Sequence, residues 1–165
     1  MHPEQSPAVE RAAAWYREVH FWPVQVMGDV VFLPLGRGVV AFEVPADRAA
    51  RVQEVLEAND IRTAALLVEQ DAESRVTFLA EADDAVFGQF QMPPGVRYLT
   101  VPVVLRLPLV NTVSDRSWFR APDATRRWFP RAAAVLAAIV TATPRGLRTG
   151  SSLTRAPKRE RVLIG

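Results

Sequence analysis

Val24-Gln25-Val26-Met27-Gly28-Asp29-Val30-Val31-Phe32-Leu33-Pro34-Leu35-Gly36-Arg37-Gly38-Val39-Val40-Ala41-Phe42-Glu43-Val44 is the stretch that decides the fold class. Its apolar residues are mostly β-branched or aromatic, and Gly28-Asp29, Pro34 and Gly36-Arg37-Gly38 divide it into segments too short for helices. The spacing predicts three short strands, over about 23–27, 30–34 and 38–44, with tight connections. Helical patterns flank it. Upstream, Ser6-Pro7 has the chemistry of an N-cap and first turn, and Val9, Ala12, Ala13, Tyr16 and Val19 form an apolar stripe. That helix, about 7–19, must stop before His20-Phe21-Trp22-Pro23, because Pro23 pushes Trp22 out of the α region. Downstream, Pro45-Ala46-Asp47 opens a helix with Ala49, Val52, Val55 and Leu56 on one face and Arg48, Arg51, Glu54 and Glu57 on the other. Asn59-Asp60 ends it.

Further along, Thr63 to Glu69 and Val76 to Glu81 predict a hairpin around the acidic turn Asp71-Ala72-Glu73-Ser74. Residues 83–92 fit a short helix bearing Val86, Phe87 and Phe90, or a loop, and Pro93-Pro94-Gly95 closes them. Val96–Val101 and Val103–Leu107 read as strands interrupted by Pro102, and a last helix runs to about Ala142 with Pro130 in its first turn. The order is helix, strands, helix, hairpin, strands, helix. It implies an α+β fold, a mixed, mainly antiparallel sheet with packed helices, instead of a doubly wound sheet. Residues 1–142 form one domain on this reading, and 143–165 a flexible basic tail with too little apolar surface to offset the entropy of ordering.

A chain of 165 residues with 49% hydrophobic composition can build a core without staples. It has no cysteine, which rules out disulfides, thiolate metal sites and cysteine nucleophiles, and fits a reducing, cytoplasmic location. The amino terminus lacks a basic n-region, and the longest mainly apolar run, Ala132 to Ala142, falls short of the roughly 18 residues a spanning helix needs. No membrane association is expected. Lys158 is the only lysine among 20 basic residues, a bias that reflects a GC-rich genome more simply than it reflects guanidinium chemistry. Charge placement carries more information. Residues 143–165 hold Arg145, Arg148, Arg155, Lys158, Arg159 and Arg161 against Glu160, a net +5, whereas 1–142 hold 14 basic and 17 acidic residues, a net −3.

No motif complete in itself carries catalysis. The two histidines, His2 and His20, have no metal-ligand or triad spacing, and Gly36-Arg37-Gly38 is too short for a phosphate cradle and supplies turn geometry. Glu69, Asp71, Glu73, Glu81, Asp83 and Asp84 cluster mostly on turns, where acidic residues serve local hydrogen bonds. Aromatic and basic residues interleave in Trp118-Phe119-Arg120 and in Arg126-Arg127-Trp128-Phe129-Pro130-Arg131. That pattern suits stacking on bases while neutralising phosphates, and it equally suits anchoring a helix start to a core. Six tail cations bound the salt slope of duplex binding at about −5. A basic tail also serves as a solubilising extension, a docking segment for an acidic partner, or a site of modification at Ser151, Ser152 and Thr154.

Trp22-Pro23-Val24 after a first helix, then Val31 to Gly38, Val39 to Pro45 and the helix that follows, resembles the amino-terminal domain of bifunctional DNA primase/polymerases, in their short stand-alone form. The resemblance continues through the hairpin and Pro93-Pro94-Gly95-Val96-Arg97-Tyr98-Leu99 to Trp118 and the last helix, covering about residues 10–142. It implies an archaeo-eukaryotic primase fold, in which two acidic residues alternate along a strand so that both point to one face and hold catalytic metals. In Val40-Ala41-Phe42-Glu43-Val44, Glu43 falls at the second acidic position and Ala41 at the first, so one carboxylate is missing. The family's histidine-containing strand has no counterpart in Val76–Glu81, where Glu81 or Asp83 offers oxygen instead, and Arg97 and Arg106 would line a remnant groove.

Three readings follow. The first is a catalytically inactive primase/polymerase-like module that binds or regulates, contacting DNA through Arg126, Arg127, Trp128 and the tail cations. The second is a protein-interaction domain with no nucleic-acid role. The third is a nucleotidyltransferase built on Glu43, the only one that would call for magnesium or manganese; the first two need no cofactor.

Overall fold

The segment 24–44 does fold as three strands, but they are shared between two sheets. A computed structural model describes residues 6–36, 38–70, 72–83, 91–109 and 116–144. Helix α1 (Pro7–Glu18) is followed by β1 (Gln25–Met27), β2 (Val30–Pro34) and β3 (Val39–Pro45), then α2 (Ala46–Ala58). The hairpin β4 (Ala65–Gln70) and β5 (Glu73–Glu81) comes next, then β6 (Arg97–Leu99), β7 (Val104–Leu107), β8 (Arg116–Arg120) and α3 (Ala132–Ala142). One sheet has the order β1-β2-β7 and the other β6-β3-β5-β4-β8, and every strand pairing is antiparallel. The α+β class expected from sequence holds, while the expected single mixed sheet is replaced by two antiparallel ones.

The reason lies in two connections. Between β2 and β3 the chain passes Gly36, and between β6 and β7 it passes Thr100 to Val103, so both links cross from one sheet to the other. They touch where they cross: a Cβ on Gly36 would stand 2.0 Å from a Val101 methyl, and Gly36 has φ +119°. Only glycine fits there. The Gly36 amide donates to the Val39 carbonyl and the Leu35 amide to the Val103 carbonyl, so the Gly36–Gly38 stretch does serve as a turn.

The five-stranded sheet is buried on both faces. On one, Val40, Phe42 and Val44 of β3 and Val76, Phe78 and Ala80 of β5 meet Ala49, Val52 and Leu56 of α2 and Val135, Leu136 and Ile139 of α3. On the other, Ala41, Leu66 and Leu79 meet Val9, Ala12, Ala13 and Tyr16 of α1 together with Val31, Leu33, Leu105 and Leu107 of the smaller sheet. A strand buried on both faces reads as a continuous apolar run instead of an alternating one, as Val39 to Phe42 does before Glu43 interrupts it. The buried Tyr16 hydroxyl donates to the Pro108 carbonyl at 2.8 Å, tying α1 to the end of β7, and burial raises its pKa far above the usual phenol range.

β8 has no counterpart in the sequence reading. It pairs with the edge of β4, Trp118 opposite Leu66 and Ser117 opposite Leu67. Trp118 packs into the second core beside Tyr16 (6.2 Å between centroids) and Trp22 (5.9 Å), and Phe119 on the other face meets Phe78. Of the two readings of Trp118-Phe119-Arg120, core anchoring is the one that fits.

Candidate functional site

The carboxyl end of α1 builds one wall of a groove. The Phe21 amide donates to the Arg17 carbonyl and the Trp22 amide to the Tyr16 carbonyl, closing the helix, while the Arg17 guanidinium reaches the Val24 carbonyl. Phe21 sits at φ 58°, the left-handed conformation that glycine usually supplies at a helix end, and its ring remains 64% exposed. A bulky residue held there carries strain of order 1 kcal/mol. Next to it His20 is buried, its ring edge-on to Trp15 at 4.5 Å and tilted on Trp22 at 5.4 Å. Its Nε2 has no hydrogen-bond partner among the described residues. Burial lowers its pKa, against a smaller upward pull from the Asp123 carboxylate.

The opposite wall is the segment between β8 and α3. Asp123 accepts hydrogen bonds from the Thr125 hydroxyl and amide, which hold its pKa below the usual carboxylate range, and it pairs with Arg62 at 3.5 Å. Arg126 pairs with Asp60 and Arg120 with Glu57, whereas the Arg127 guanidinium lies over the Phe21 ring, 4.7 Å from its centroid. Arg127 has no carboxylate partner among the described residues. Phe129 packs on Trp22 at 5.3 Å, and Trp128 stands 88% exposed. Between the walls is a mainly apolar cavity of about 630 Å³ lined by Phe21, Trp22, Trp128 and Phe129, with His20, Arg127 and Glu81 as the ionisable groups among the described residues. A second hollow of about 30 Å³ opens on the far side of His20, toward Arg62, Thr63 and Asp123.

Glu43 lies elsewhere. In the register of the larger sheet it stands opposite Arg97 on β6 and Thr77 on β5. Its carboxylate is 15% exposed, accepts from Arg75 Nε at 2.5 Å and pairs with Arg97 as well; Arg75 also donates to the Gly95 carbonyl. Glu43 is therefore committed to two cations, and position 41 on the same face is an alanine buried in the second core. No group of three or more His, Cys, Asp or Glu able to hold a metal occurs among the described residues. A divalent cation does not fit at Glu43, where two guanidinium charges already occupy the carboxylate.

Of the residues singled out from sequence, Arg126, Arg127 and Trp128 do come together on one wall of the groove, with Arg126 held by Asp60. Arg97 and Arg106, expected to share a remnant groove, stand in different sheets, Arg97 bound to Glu43 and Arg106 opposite Phe32 on β2. Arg145, Arg148, Arg155, Lys158, Arg159 and Arg161 lie outside the described residues, as does most of 83–92. Sequence reasoning did not single out the other wall: Phe21 entered it only in a helix terminator, and His20 there and as a histidine without metal-ligand or triad spacing, although an aromatic pair before Pro23 with no glycine to cap the helix was a usable signal. No protein family, curated protein or solved structure matches the chain.

Proposed function

We propose that this chain is a catalytically inactive, primase/polymerase-like binding module that engages single-stranded nucleic acid, with Arg127, Trp128 and Phe21 as the contact surface and the basic residues 143–165 as a longer-range electrostatic attachment. The observation that carries this reading is an almost fully exposed tryptophan beside a second exposed aromatic and a guanidinium with no carboxylate partner among the described residues, at the mouth of an aromatic cavity. Bases stack on such rings whatever their identity, and each stack contributes about 1–3 kcal/mol. Three of the four arginines around the groove are already neutralised by Asp60, Glu57 and Asp123. The groove alone therefore supplies little long-range attraction, which leaves that part to the tail.

The reading of Glu43 as a metal ligand for nucleotidyl transfer has the least support, because its carboxylate is taken by Arg75 and Arg97. A primer-extension assay with magnesium or manganese is expected to give no product. A protein partner with no nucleic-acid role has one observation in its favour, the apolar character of the cavity lining.

The test is a salt titration of single-strand binding by fluorescence anisotropy, comparing the full chain with one ending at Pro144. Cutting there keeps Thr143, whose amide and hydroxyl bond the Ile139 carbonyl at the end of α3. Truncation is expected to weaken binding and flatten the salt slope by up to about 4, since each of six lost cations contributes about 0.7 on a single strand. Unchanged binding would remove the tail from the reading. Absence of binding at low salt in the full chain would remove the reading altogether.

A further inference from the structure

We infer that the cavity between Phe21 and Trp128 receives one unstacked base of the strand, and that Glu81 makes it favour bases carrying an amino group. This deepens the reading above and rests on it. Three observations converge. The cavity, about 630 Å³, has a size that suits a planar ring system with its sugar, and its walls are aromatic. Phe21 is held in a strained left-handed conformation that keeps its ring at the cavity, where glycine would close the helix without cost. His20 is a neutral, buried imidazole with an unpartnered Nε2, and it lines both the large cavity and the 30 Å³ hollow behind it. Two further buried side-chain atoms, on Gln53 and Thr77, lack partners, yet neither residue lines a cavity described above.

The polar groups define the ligand. Arg127 is a cationic donor with no carboxylate partner among the described residues, suited to a phosphate at the mouth. Glu81, the last residue of β5, has its backbone fixed by the hydrogen bond that its amide donates to the Pro130 carbonyl, and its carboxylate has no ion-pair partner among the described residues. A carboxylate that accepts favours ligands that donate: the exocyclic amino groups of cytosine, adenine and guanine each offer two hydrogens on the base edge, whereas thymine offers only its ring N3–H. An apolar planar body, a donor on its edge and an anion at its end together describe a nucleotide. The same chemistry could come from a free mononucleotide or from one residue of a strand; the exposed Trp128 and the basic tail favour the strand, because a free nucleotide needs neither.

The experiment measures binding of the full chain to short labelled oligo-dC, oligo-dT and an abasic strand of equal length at low salt, with cytidine monophosphate as a competitor. The expected result is oligo-dC tightest, oligo-dT weaker by severalfold and the abasic strand weaker by about tenfold or more. Trp128→Ala is expected to lower affinity for oligo-dC about tenfold and leave the abasic strand unaffected, and Glu81→Gln to erase the preference for dC over dT. The circular dichroism of each variant checks its fold, and Phe21→Ala gives a second route to the same loss should either fail to fold. Equal affinity for base-bearing and abasic strands, unaltered by these substitutions, would overturn the base pocket while leaving nucleic-acid binding by charge intact. Cytidine monophosphate competing as tightly as the strand would assign the cavity to free nucleotides and overturn the strand. If no strand binds at all, the underlying reading fails with it.

Discussion

The two charged regions of this domain, the Glu43 end of the larger sheet and the groove between His20 and Trp128, differ in how completely their groups are answered. Around Glu43 every charge has an opposite: the carboxylate holds Arg75 and Arg97, and Arg75 also reaches the Gly95 carbonyl. In the groove a guanidinium rests on an aromatic face, a carboxylate has no cation and a buried imidazole nitrogen no partner among the described residues, and two large rings stand in solvent. Folding alone explains the first arrangement, since mutual neutralisation lets polar groups sit on a half-buried sheet face. It does not explain the second, where the left-handed Phe21 and the unpartnered His20 Nε2 cost stability and only the Arg127 contact on the Phe21 ring offsets that cost. Function belongs where the costs are unreturned.

Substitutions at the two regions should therefore separate stability from binding. The largest effect is expected at Glu43→Ala, which leaves Arg75 half-buried against its remaining partners: unfolding free energy should drop by about 2 kcal/mol, read by urea denaturation, with strand affinity unchanged. An equal loss of strand binding in a folded Glu43→Ala protein would move the site to the sheet face and break the comparison. Trp128→Ala should do the reverse, costing about 1.4 kcal/mol of binding free energy but under about 0.5 kcal/mol of stability, because the side chain is already in water. Phe21→Gly sharpens the contrast further. It relieves the left-handed strain, so stability should hold or rise by up to about 1 kcal/mol while strand binding falls. A drop in stability would instead assign Phe21 to the core.

The smallest effect concerns pH. His20 has a pKa below its ordinary 6.5 because of burial, so the folded chain takes up its proton only at lower pH than the unfolded chain does. The unfolded state then binds more protons in the window below 6.5, and stability should decline as pH falls through it, down to the folded value. Denaturation at pH 7.5 and at more acidic pH should show this slope in the native chain and a shallower one in His20→Gln. An identical slope in both would show that His20 is not the group responsible.

Much of the fold was legible because its elements obey local rules. Val9, Ala12, Ala13 and Tyr16 bury at the spacing that marked them, and the breaks at Gly28-Asp29 and Gly36–Gly38 fall between strands as read. The division into two sheets was not legible, because it depends on Gly36 meeting Val101, a contact between residues far apart in sequence. β8 was missed for a related reason: Ser117 and Arg120 interrupt its apolar pattern, and its existence depends on the free edge of β4. At the candidate site, the composition of Arg126-Arg127-Trp128 pointed to one wall of the groove. It could not show that Asp60 would hold Arg126 while Arg127 met the Phe21 ring and no carboxylate among the described residues, nor that the end of α1 would face it. Glu43 was singled out through resemblance, and its two arginine partners arrive from separate strands, β5 and β6.

The most direct test of the contrast is a nuclear magnetic resonance footprint of an unlabelled single strand on the isotope-labelled chain. Binding in the groove should shift the Trp128 indole N–H and the backbone amides of His20, Phe21, Glu81 and Arg127, and leave those of Glu43, Arg75, Thr77 and Arg97 in place. Shifts centred on Glu43 and its arginines, with the Trp128 indole unmoved, would contradict it.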